Sequence, residues 1–206
     1  MIFPISFMNE LKEKLSSGPT AFLIIFSVLF GNLESLGQMP QLFTEEVLNL
    51  TLSGDLKTVL KDRGDDSQYH PAELFYFLDQ KKVSIPLKIK TRGNFRKSAS
   101  NCKYPPLMLN FPNSEVIDNT LFSGQNKMKL VTPCQGDEYT VHEYLVYKLY
   151  NLFSPQSFQS QLLKISFQDT LKRKKVRTYY GLLLENEDQM AQRNQALLFE
   201  KIGYKP

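Results

Sequence analysis

Cysteine and histidine are scarce in this chain, with two of each in 206 residues. That scarcity removes most metalloprotein classes. A structural zinc site needs four ligands, and Cys102 and Cys134, with no histidine close by, cannot complete a tetrahedron. No CxxC, HExxH, GxSxG or glycine-rich Walker loop occurs. Dithiol redox, zinc-protease, serine-elbow and P-loop chemistries therefore lack their signatures. Charge of one sign is also in short supply. The net charge is only +4, and there is no RNP-type motif, helix-turn-helix pattern or zinc-finger spacing, so nucleic acid is not an expected partner. A spanning helix needs about 20 apolar residues. The apolar run Ala21–Phe30 is about half that length. Internal repeats and low-complexity tracts are absent too.

What remains is the composition of an ordinary globular protein, 42% apolar and 22% charged, long enough for one domain with a sizeable core. Its first residues have the pattern of a targeting segment. Lys12 and Lys14 precede the apolar run, and Ser35 and Gly37 stand where a signal peptidase requires small residues. The expectation is a signal peptide over residues 1–37, cut before Gln38, and an exported protein, periplasmic or extracellular. Residues 38–206 then form a single domain with no membrane span. In an oxidising compartment Cys102 and Cys134 are expected to pair, with two free buried thiols as the alternative. By chain entropy the bridge would stabilise the domain by roughly 3–4 kcal/mol.

Period-2 alternation predicts strands at Glu46–Leu52, Glu73–Leu78, Val83–Thr91, Leu107–Phe111 and Lys127–Thr132. A hairpin is expected from Leu162–Gln168 and Lys175–Leu184 around the basic turn Thr170–Lys174. Asp55 can cap a short helix, Leu56–Lys61. Val141, Tyr144, Leu145, Lys148, Leu149 and Leu152 recur at helical spacing, which predicts a long amphipathic helix over Thr140–Leu152. A last helix is expected over Glu187–Leu198. The sum is an α+β fold, a mainly antiparallel sheet with helices on one side.

Three segments could carry chemistry. Lys88, Lys90 and Arg92 share a strand face, Gly93-Asn94 turns the chain, and Arg96 and Lys97 can fold back over the same face. Cations beside exposed amides suit an anion, although a solvated basic hairpin tip explains the charges equally well. Glu143, on the expected long helix, could orient a lysine, with Lys88, Lys90, Lys127 and Lys129 as partners, or could simply pair with surface cations or with Tyr147 one turn on. The strand Tyr179–Glu185 ends in carboxylates, Glu185, Glu187 and Asp188, which also suit the first turn of a helix. The remaining matches, Asn49-Leu-Thr51 and Arg63-Gly64-Asp65, are short patterns that arise often by chance.

The segments Arg92-Gly93-Asn94, Lys127–Val131 and Tyr180-Gly181-Leu-Leu-Leu-Glu185 occur in an order that resembles the spore-coat-protein-H-like (CotH) kinase family. The chain is similar, more closely, to a group of exported bacterial proteins of unknown function with an RGNFR…C…PPL…KLV…C…EY pattern, and in those terms the cysteines belong to the subgroup. The resemblance implies a lobe like the N-terminal lobe of an atypical kinase, binding ATP with Mg²⁺. Its metal-binding aspartates would lie in a later helical lobe for which the sequence leaves little room, so either the gene product is truncated or the lobe is kept for binding. No catalytic residue is assigned. The anion- or nucleotide-binding candidates are Arg92, Gly93, Asn94, Arg96, Lys129, Glu143 and Glu185. The leading expectation is an exported, kinase-like, anion-binding lobe. The alternatives are an ATP-dependent phosphotransferase whose catalytic lobe lies elsewhere and a non-catalytic structural envelope protein.

Overall fold

A computed structural model describes residues 41–112, 117–134, 136–171 and 176–198. The chain divides into two units, Met1–Met39 and Pro40–Pro206, and every described residue belongs to the second. The expected leader over residues 1–37 and most of the turn at 170–174 lie outside the described residues.

Among the described residues seven strands form the fold: β1 (Leu48–Gly54), β2 (His70–Leu78), β3 (Lys81–Thr91), β4 (Leu107–Asn110), β5 (Lys127–Val131), β6 (Ser160–Asp169) and β7 (Arg177–Leu184). They close into a barrel in the order β1-β2-β3-β4-β5-β7-β6. All neighbours are antiparallel except β1 and β6, whose parallel pairing, Leu48 opposite Leu163 through Gly54 opposite Asp169, seals the seam. This closure overturns the expected α+β sheet resembling a kinase N-terminal lobe. The molecule is mostly β, and its sheet has no free edge. The local alternation in each strand is the same in an open sheet and in a barrel, so only the β1–β6 contact decides between them.

Alternation sends one face of each strand inward. Leu50, Leu52, Leu74, Ile85, Leu87, Ile89, Leu109, Met128, Leu130, Leu163, Ile165 and Leu183 are buried in one core. Gly181 faces the same interior, where an added Cβ would lie 3.0 Å from Ile165 Cγ2. A glycine there allows β6 and β7 to pack closely. One end of the barrel is covered by α1 (Leu56–Lys61), capped by the Asp55 carboxylate, which accepts from Thr58 N at 3.1 Å; α1 buries Leu56 and Val59. The other end is filled by Leu42, Ile117 and Phe122, with Leu121 N donating to the Tyr76 hydroxyl at 2.8 Å. The buried Gln161 ties the incoming chain to this end, accepting from Thr44 N at 2.7 Å.

The helix α2 (Asp137–Phe153) lies outside the barrel wall against β6 and β7. Beneath it a second, smaller core holds Val131, Tyr144, Leu162, Leu182 and Leu184. The long amphipathic helix expected here is a further correction. Thr140 and Tyr144 are its buried residues, whereas Leu145, Leu149 and Leu152 of the expected inner stripe are exposed. The buried face is turned about a quarter-turn away from the predicted one. The last helix, α3 (Glu187–Arg193), stops earlier than expected.

Candidate functional site

The chain between β3 and β4 makes an excursion over the outer wall. It leaves the sheet at Arg92, whose N–H still donates to Pro106 O at 2.9 Å. Gly93 then takes φ +85, a left-handed conformation in which a side chain is strained. Asn94, the second residue of the expected turn, has φ −105. A 3-10 turn, Phe95–Lys97, carries Arg96 back toward α2.

Two devices hold the excursion in place. Cys102 and Cys134 form a disulfide with Cα atoms 4.9 Å apart, tying the loop to the segment before α2. Arg63 grips the same loop from the other side. Its guanidinium donates to Leu60 O at 2.6 Å, to Cys102 O at 2.7 Å and to Lys103 O at 2.7 Å. The Arg63-Gly64-Asp65 tripeptide thus has its arginine engaged with backbone. An arginine with several donors can satisfy the buried carbonyls of an irregular loop where no ladder exists.

The result is a cleft of about 320 Å³ on the outer face of β5, lined by Arg92, Gly93, Asn94, Arg96, Lys129 and Glu143, with Tyr147, Phe158 and Leu184. Six of the seven anion-site candidates therefore share one cleft, and the basic turn faces the acid-bearing helix across it. Arg96 Nη2 donates to Glu143 Oε2 at 2.9 Å. Lys129 points outward from β5 yet is 7% exposed; its ammonium bonds Glu187 Oε1 and lies 4.7 Å from the centroid of the Phe158 ring. Of the two roles the sequence offered, Glu143 therefore does not hold a lysine but pairs with a partly exposed cation. It holds Arg96, and Glu187 holds Lys129. Among the described residues the half-buried Arg92 side chain makes no ion pair or hydrogen bond, and its guanidinium borders the cleft.

Glu185 sits elsewhere. It is 3% exposed and saturated: Arg193 Nε and Nη2 donate to its two oxygens at 3.0 and 2.9 Å, and Gln159 N donates at 3.0 Å. It fastens α3 to the end of β7 and does not line the cleft.

Titration behaviour reflects the same geometry. Burial alone would raise the Glu187 carboxyl. The hydrogen bond from Lys129, its own backbone N–H and the charges of Lys129 and Arg92 outweigh that effect and hold it below the ordinary value of 4.5. Burial raises Tyr147, the neighbouring Glu143 raises it further, and Arg92 and Arg96 oppose the rise. The cleft is thus lined by three cations, Arg92, Arg96 and Lys129, and one carboxylate, Glu143, while Glu187 bonds Lys129 from outside the lining; among the described residues Arg92 has no partner. An oxyanion fits that donor set. A divalent metal does not, because Glu143 and Glu187 are each bound to a cation, and among the described residues no group of three or more His, Cys, Asp or Glu converges.

The chain matches no protein-family model and no curated protein. Among the described residues no helix is long and apolar enough to cross a membrane.

Proposed function

We propose that this is an exported, disulfide-stapled β-barrel protein that binds a phosphate-like oxyanion, free or as part of a nucleotide, in the cleft between the Gly93 turn and α2, without catalysing a reaction there. One observation carries the reading: among the described residues Arg92 makes no ion pair or hydrogen bond, and it lines the cleft beside two further cations, Arg96, whose partner Glu143 uses a single oxygen, and Lys129, held by Glu187. An arriving oxyanion takes the free guanidinium bidentately and competes with Glu143 for Arg96. Lys129, held by Glu187 beside Phe158, contributes charge without having to move. The cleft volume is at the lower end of ligand sites, enough for a phosphate or pyrophosphate group.

Export is supported by the disulfide, since such bonds persist in oxidising compartments. The likeness to CotH kinases enters through the Arg92-Gly93-Asn94 turn and the Lys129-bearing strand, both of which line this cleft. A phosphotransferase also needs carboxylates free to hold Mg²⁺ against the nucleotide, which this cleft does not offer. The test is thermal unfolding of the full chain with phosphate, pyrophosphate, and ATP with and without Mg²⁺. A ligand at about 100 times its dissociation constant adds about 2.7 kcal/mol of stability. Stabilisation by pyrophosphate and ATP that does not depend on Mg²⁺ supports the reading. No stabilisation by any of the three rejects it, and a strict requirement for Mg²⁺ favours the phosphotransferase.

A further inference from the structure

The outward side of α2 is apolar where a surface helix is normally polar. Tyr139, Val146, Leu149, Tyr150, Leu152 and Phe153 are between 51% and 82% exposed on this one helix. Tyr139, His142, Val146, Leu149 and Phe153 follow one another at spacings of three, four, three and four, the seam spacing by which one helix packs along another. We propose that this face is covered by α2 of a second copy of the chain, the two helices antiparallel about a two-fold axis.

Three observations select a second copy. The first is area. Tyr139, Val146, Leu149, Tyr150 and Phe153 are each more than half exposed on this side, a contiguous apolar patch on the order of several hundred Å², the size that marks an interface. The second is self-complementarity. The seam is apolar at both ends, with an aromatic at each, Tyr139 and Phe153, and its smallest side chain, Val146, at the centre. A two-fold through the middle brings the slender centre of one helix to that of the other and sets aromatic ends together. Antiparallel packing also places the N-terminal end of each helix beside the C-terminal end of its partner, where the helix dipoles attract. The third is charge. An interfacial helix on an anionic bilayer needs a rim of lysine and arginine. α2 has a single basic residue, Lys148, held by Glu45 at 2.7 Å, and it begins with Asp137 and Glu138.

The proposal stands apart from anion binding, because Glu143 leaves the same helix toward the cleft and not along the seam. The full chain is examined by sedimentation equilibrium at micromolar concentration, alone and as Val146→Glu/Leu149→Glu. The expected result is twice the 23.8 kDa chain mass for the wild type. The variant is expected to be monomeric, with dimer affinity reduced about a hundredfold or more. Independently, Val146→Cys should cross-link to a dimer through a short bis-maleimide, which does not depend on a destabilising change. A wild type that is monomeric, a double variant that remains dimeric, or a Val146→Cys chain that does not cross-link overturns the proposal. So does a monomer that binds anionic vesicles through this face.

Discussion

Glu185 and Glu143 each hold an arginine at 2.9 Å, and the environments of the two pairs differ. The Glu185 side chain is 4% exposed, and both its oxygens are occupied by Arg193, with a backbone N–H as well. The Glu143 side chain is 27% exposed and uses one oxygen, and its partner Arg96 is 39% exposed. A buried, fully bonded pair cannot exchange partners without stranding a charge. A partly exposed, single-bonded pair can. The first fastens α3 to the barrel, and the second leaves an arginine whose partner can be exchanged. Ion pairs are thus read as structural or adaptable by how many of their lone pairs and donors are already used.

The largest effect expected from breaking this comparison is on stability. Arg193→Ala strands the buried Glu185 carboxylate and should cost about 3–5 kcal/mol in denaturant unfolding. Removing the staple that shapes the cleft, as Cys102→Ser/Cys134→Ser, should cost roughly 3–4 kcal/mol, read as a lower unfolding midpoint that reductant does not change further. In the adaptable pair the effects should shift from stability to binding. Glu143→Gln should change stability by less than about 1 kcal/mol. By releasing Arg96, the same change should tighten pyrophosphate binding about three- to tenfold in a calorimetric titration. The smallest effect concerns Glu187. Its folded-state carboxyl lies below 4.5, so its contribution is fully present above the unfolded value and is lost as the pH falls through the lower, folded one. The stability difference between wild type and Glu187→Gln should therefore shrink on acidification below about pH 4.5 and be constant near neutrality.

Local signals made much of this legible. Asp55 as a cap, alternation in the strands and the cysteine pair all depend on neighbours in sequence or on simple counting. The cleft was legible in outline, because Arg92-Gly93-Asn94 forces a turn beside a strand and Glu143 has a cation to meet. Its pairings were not. Lys129 and Glu187 are 58 residues apart, and nothing local distinguishes Glu187 from Glu143 as the partner. Barrel closure was illegible for the same reason, since β1 meets β6 more than a hundred residues later. Periodicity exposed the apolar content of α2 but not which side faces the barrel. Thr140 and Asn151, which the pattern counts as polar, lie on the inward half, and Leu149 and Leu152 on the outward half. Arg63 was read within a tripeptide, whereas its function is to bind carbonyls of a loop some 40 residues away.

The central claim is that Arg92, which has no ion-pair or hydrogen-bond partner among the described residues, anchors an oxyanion in the cleft. It is tested most directly by isothermal titration of pyrophosphate into the wild-type chain and into Arg92→Ala, with unfolding curves measured alongside. The account predicts saturable one-site binding to the wild type, weakened at least about tenfold by the substitution, which is about 1.4 kcal/mol, with the unfolding curve unchanged. Equal binding by both proteins, or heat from neither, would contradict it.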